Sequence, residues 1–151
     1  MRIVLAAIAA ISPLIAQAAE EDALAARVMW TSFECGTYAE VSGDAERHAA
    51  LFEKGMAAGR QFFAAIEAGT ITQEEQEKHV PIIVLMTGRG PSVDFALGRI
   101  FESAMTSAYD EVVKKDITGL AELPASDWVM DKELQKSRAQ LLYQRGNCSL
   151  L

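Results

Sequence analysis

Imidazole and thiol groups are scarce in this chain: it has two histidines, His48 and His79, and two cysteines, Cys35 and Cys148. None falls into an HExxH, CxxC, CxxCH or ExxH spacing, so the ligand patterns of zinc, haem and di-iron sites are missing and neither a metal nor another cofactor is expected. Ser92 sits in Gly90-Pro91-Ser92-Val93-Asp94, which lacks the second glycine of a nucleophile elbow and has no histidine nearby in sequence. No residue stands out as catalytic. Positive charge is short as well. Fourteen basic against twenty-one acidic residues give a net charge of −7, which disfavours nucleic acid and anionic membrane surfaces as partners. Long apolar runs are missing too: the stretch Ile3 to Ile15 is 13 residues and contains Pro13, whereas a spanning helix needs about 20.

That short run fits a different purpose. Arg2 is a minimal basic start, Ile3 to Ile11 is apolar, and Ala16-Gln17-Ala18 is a small-x-small cleavage site followed by the acidic Ala19-Glu20-Glu21-Asp22. Residues 1–18 therefore read as a secretory signal peptide and residues 19–151 as one mature domain, periplasmic or secreted, without a stable membrane anchor. Cleavage removes Arg2 and no acid, so the −7 of the whole chain becomes −8 for the domain. No linker, repeat or low-complexity tract divides it. The last four residues, Cys148-Ser149-Leu150-Leu151, match a prenylation box, but an exported chain does not meet the cytosolic enzyme. Export instead places the two cysteines in an oxidising compartment, where a Cys35–Cys148 disulfide is expected.

The mature chain reads as all-α, a compact bundle of four or five helices closed by that disulfide. Leu24, Val28, Cys35 and Tyr38 recur at helical spacing between Glu21 and about Val41, with Trp30 and Phe33 widening the stripe. A second helix spans about Ala45 to Ala68, with Leu51, Phe52, Phe62, Phe63 and Ile66 inward and Gly69 ending it. Thr72-Gln73-Glu74-Glu75 has capping-box spacing and starts a third. Val80 to Met86 fits a buried strand or a helix, and helix is preferred because a lone strand has no partner. Pro91 to about Lys115 carries Leu97, Ile100, Phe101, Ala104, Ala108, Tyr109 and Val112 on one face. Residues 116–126 read as a loop, and a last helix runs from Ser126 or Asp131 to Arg145 before Gly146.

The candidate contact site is the turn Thr87 to Asp94 with Arg99 beyond it. Gly88 and Gly90 permit a sharp turn, expected to need positive φ. The helix start after them offers unpaired N–H groups, and Arg89 adds a cation. Arg89, Gly90, Ser92, Asp94 and Arg99 are thus the named residues for a ligand or partner, although Ser92 and Asp94 suit capping equally well. Glycines inside helices, Gly36, Gly55, Gly59 and Gly98, imply close packing, with Trp30, Phe62, Phe63, Phe95 and Phe101 as candidates to fill the notches. Glu34, Glu40, Glu53 and Arg60 could form buried polar pairs, but a solvated face explains them more simply and they are assigned to it. The function expected is binding, to a protein partner or to itself, in the manner of inhibitors, immunity proteins or chaperones. The alternatives are a small-ligand or anion site at the Gly88–Asp94 turn, an enzyme in which Arg89, Asp94, Arg99, Tyr109 and His48 converge, and a purely structural envelope protein.

Overall fold

A computed structural model describes the backbone of residues 12–151, with side chains from Gln17 onward. Most of the expected signal segment, residues 1–11, lies outside the described residues. The fold is all-α. Among the described residues six helices follow one another: α1 Ser12–Ser42, α2 Ala45–Ala68, α3 Gln73–His79, α4 Ile82–Thr87, α5 Val93–Val113 and α6 Lys132–Arg145. Two single 3₁₀ turns, Ala125–Asp127 and Cys148–Leu150, flank α6. The count exceeds the expected four or five because Val80 and Pro81 adopt extended backbone and divide α3 from α4. Proline removes a donor and restricts the residue before it to extended geometry.

Local chemistry sets most of the boundaries. Asp44 caps α2 by accepting the Arg47 N–H, and Gly69 ends it at φ 66°, the left-handed conformation glycine adopts without penalty. Thr72 and Glu75 form the complete capping box of α3. Ser92 caps α5 through the Phe95 N–H, and Asp131 caps α6 through the Leu134 N–H. α1 begins before the expected Glu21, because no helix breaker follows Pro13 and a proline in a first turn is tolerated. The expected cleavage position at Ala18 therefore lies inside this helix.

α1 is the central strut, packing against α2, α3, α5 and α6. Its first half joins one apolar cluster: Met29 and Phe33 meet Phe62 of α2, Val84 of α4, and Leu97 and Ile100 of α5. Its second half joins another, in which Cys35, Tyr38 and Ala39 pack with Leu51, Val112, Ala139 and Cys148. Phe33, Phe52 and Phe101 stack edge to face or tilted, with centroids 5.2–6.1 Å apart, and join α1, α2 and α5 in the first cluster. Cys35 and Cys148 form the expected disulfide, with Cα atoms 5.6 Å apart. Two residues expected inside turn outward: Ile66 yields its place to Ala65, and Tyr109 is over a third exposed. Among the described residues no helix is long and apolar enough to cross a membrane.

The helical glycines divide by what faces them. A Cβ on Gly55 would strike the Phe33 ring, and one on Gly59 would strike Leu97 and the Met29 sulfur. The notches are real, but Phe33, Leu97 and Met29 fill them rather than Trp30, Phe62, Phe63, Phe95 or Phe101. Gly36 leaves ordinary contact distances to His48 and Leu51, and Gly98 faces open space. Gly98 therefore costs α5 helix propensity without returning a close contact. Gly98→Ala is expected to raise stability by about 0.5–1 kcal/mol in chemical denaturation, whereas Gly59→Val, which drives side-chain atoms into Leu97 and Met29, is expected to lower it by about 1–3 kcal/mol.

Candidate functional site

The turn between α4 and α5 is built by its glycines, though not through positive φ. Gly88 has φ −71°, and among the described glycines only Gly43, Gly69 and Gly119 have positive φ. The physical requirement at 88 and 90 is room. A Cβ on Gly88 would lie 2.6 Å from the Val84 carbonyl oxygen and 3.3 Å from the Phe63 ring, and one on Gly90 would overlap the Cδ1 edge of the Phe95 ring. The expectation of left-handed glycines is corrected accordingly: close approach of a carbonyl and two rings selects them.

The five named residues fall in one region but do not converge on one point. Ser92 Oγ accepts the Phe95 N–H at 3.2 Å. Asp94 turns toward α2 and pairs with Arg60 at 3.2 Å. Arg99 donates to the Arg89 carbonyl oxygen at 3.0 Å, so the turn is strapped to the second turn of α5. The groups nearest the helix start thus satisfy one another, and the Asp94 carboxylate in the first turn of α5 repels an anion. Tyr109 lies ten positions beyond Arg99 on α5, about 15 Å along the axis, and His48 contacts the Gly36 carbonyl oxygen at 3.0 Å on the α1–α2 side. The convergence expected of an enzyme pocket is not formed by these five side chains.

What the region presents instead is apolar surface. Ile82 and Met86, one turn apart on α4, are 70% and 67% exposed, and Phe95 is 49% exposed. α4 keeps Val84 buried in the first cluster and turns Ile82 and Met86 to solvent. Between Glu77 and Glu102 the chain carries Lys78, Arg89 and Arg99 against the single acid Asp94, a net charge of +2 (3 minus 1) in a chain of −7. Asp94 is itself neutralised by Arg60. The sequence singled out the turn for its glycines and arginines; the exposed pair on α4 escaped it because Val80 to Met86 reads as wholly buried.

A second polar site lies where a solvated face was preferred. Glu34, assigned to the solvated face, is half-buried between α1 and α5. The Trp30 indole lies beside its carboxylate and favours the charged form, and the Tyr38 hydroxyl donates to Glu111 Oε2 at 2.6 Å. Burial first, and the nearby Glu111 carboxylate second, outweigh the Trp30 indole and push Glu34 up to about 7. Burial and the bond to Glu111 also raise Tyr38. Alongside lies an open cleft of about 650 Å³ lined by Trp30, Ile83, Ser103, Ser107 and Asp110. A larger groove, about 820 Å³, runs between the α1–α2 turn and α6, where Arg47 lies over the Tyr143 ring at 5.3 Å. Among the described residues no three histidine, cysteine or carboxylate side chains are grouped to hold a metal.

No family model, no curated protein and no solved structure matches the chain.

Glu34 makes the fold sensitive to pH in an unusual direction. Its folded value of about 7 lies above the ordinary 4.5, so between those two values the folded chain holds the proton more tightly than the unfolded chain. The stability it contributes is present below pH 4.5 and lost as pH rises to about 7, opposite to the usual behaviour of a paired carboxylate. Thermal melts should show the Glu34→Gln variant gaining on the parent protein as pH rises from 5 to 8 and converging with it near pH 4.5.

Proposed function

We propose that this is an exported helical binding protein, periplasmic or secreted, whose working surface is the α4–α5 region and whose partner is a protein. The observation that carries this reading is the pairing of exposed Ile82, Met86 and Phe95 with a cationic stretch of an acidic chain. Large apolar side chains on two helices, joined by a turn that the Arg99 strap holds, give a preorganised contact, and a preorganised surface loses little entropy on binding. Arginine and aromatic side chains are the types that dominate protein interfaces. Export is supported by the order of basic, apolar and small-residue segments in residues 1–18 and by the Cys35–Cys148 bond, which belongs to oxidising compartments.

The small-ligand alternative at Gly88–Asp94 loses ground because Ser92, Asp94 and Arg99 are engaged with Phe95, Arg60 and Arg89. A structural envelope role has no observation that favours it. Partner capture from an exported-protein extract tests the binding reading. Ile82→Asp and Met86→Asp should each lose at least tenfold of the capture while melting at the same temperature as the parent, since both side chains point to solvent. Equal capture by parent and variants would remove the surface from consideration.

A further inference from the structure

We propose that the partner of the α4–α5 surface is a second copy of this chain, bound head to tail through the segment that follows α5. This rests on the binding reading above and names its occupant. A second exposed apolar surface lies at the other end of α5, in residues 116–134: Leu120 is 91% exposed and Met130 70%, with Ile117 and Leu134 also more than half exposed. Several large exposed apolar side chains within one short segment mark an interaction surface more often than scattered single residues do.

The two surfaces carry opposite charge. Residues 116–134 contain Asp116, Glu122, Asp127, Asp131 and Glu133 against Lys132, a net −4 (1 minus 5). Lys114 and Lys115, which precede the segment, are paired with Asp110 at 2.7 Å and Glu111 at 3.8 Å. At the other end, Lys78, Arg89 and Arg99 outnumber Asp94, and no carboxylate lies within ion-pair distance of Arg89 or Arg99 among the described residues. Arg138 and Arg145, which reach the Asp116 and Ile117 carbonyl oxygens, reduce the negative charge of the acidic segment to −2 (−4 plus 2). An exposed apolar segment of net positive charge thus has its complement, an exposed apolar segment of net negative charge, on the same molecule. Such complementarity steers encounter and fixes register.

Both surfaces are also held in shape. The acidic segment is ordered by Asp116, which accepts the Leu120 and Ala121 N–H groups, and by Arg138, which donates to the Asp116 carbonyl oxygen at 3.1 Å. Val129 N–H pairs with the Val113 carbonyl oxygen at 2.9 Å, and Trp128 lies under the Lys114 ammonium at 5.1 Å. The two surfaces are separated by α5, 21 residues long, or about 30 Å. One molecule cannot join its own two ends, so the contact is between copies. Different patches meet, so the interface is heterologous and repeats from copy to copy.

Sedimentation of the oxidised protein should show a mass that rises with concentration. It should fall as ionic strength goes from 0.1 to 1 M, where the screening length shrinks from about 10 to about 3 Å. Met86→Asp, which blocks the head, and Leu120→Asp, which blocks the tail, should each lose the higher-mass species. A mixture of the two variants should form a dimer and stop there, because one intact head meets one intact tail. A photo-cross-linker at position 86 in a mixture of isotopically light and heavy protein should join residue 86 to residues 117–134 of the other isotope. Cross-links from 86 to 86, or a mixture that stays monomeric, would overturn the proposal. If the parent protein is monomeric at all concentrations and residue 86 instead cross-links a different exported protein, self-association falls and the binding reading stands. Failure to cross-link any protein removes both.

Discussion

The covalent bond between Cys35 and Cys148 holds in place a helix that its own side chains anchor poorly. Of the fourteen residues of α6, two are buried, Gln135 and Ala139. Gln135 is satisfied by donating to the Val129 carbonyl oxygen at 2.6 Å, and Leu142 and Tyr143 are only half covered. Helices in proteins draw most of their stability from an apolar face packed against neighbours, and α6 has little of one. The disulfide closes a span of 113 positions from the second half of α1 to the residues just beyond α6. In the chain-entropy account a loop of that length is worth roughly 4 to 5 kcal/mol, against the 5 to 15 kcal/mol of a typical domain.

Once α6 is pinned, it organises what lies beside it. Arg138 donates to the carbonyl oxygens of Glu111, Lys115 and Asp116, satisfying acceptors that the end of α5 leaves free. Arg145 reaches the Ile117 carbonyl oxygen at 3.0 Å. These bonds shape the acidic segment after α5, while the Arg99 strap and the room left by Gly88 and Gly90 shape the basic turn before it. The two halves of the molecule therefore rest on different physics. Around the first half of α1 the support is aromatic and aliphatic packing; around the second half it is a covalent bond and a few hydrogen bonds from arginine and glutamine.

Local signals were the legible part of the sequence. Thr72 and Glu75, Gly69 and Ser92 act within four residues of themselves, so their capping roles survive any tertiary arrangement. The Cys35–Cys148 pairing was legible because only one connectivity exists. The illegible part depended on register between distant elements. Nothing near Gly55 or Gly59 in sequence indicates that Phe33, Met29 and Leu97 occupy those notches. Glu34 was placed on the solvated face because the groups beside it, Tyr38 and Glu111, come from two helices and are 73 positions apart. At the candidate site the physical reason given for the glycines was wrong: Gly88 and Gly90 make room for other atoms rather than supply positive φ. Ile82 and Met86 were hidden for a related reason, since an apolar run does not show which of its side chains a two-turn helix will leave outside.

Amide hydrogen exchange on the oxidised and the reduced protein, compared helix by helix, tests most directly whether the disulfide holds α6. The account predicts that reduction strips protection from Lys132–Arg145 and from residues 116–131 while α2 and the first half of α5 keep theirs, because packing around Phe33, Phe62 and Leu97 does not depend on the bond. Unchanged protection in α6 after reduction, or an equal loss along the whole chain, would contradict it.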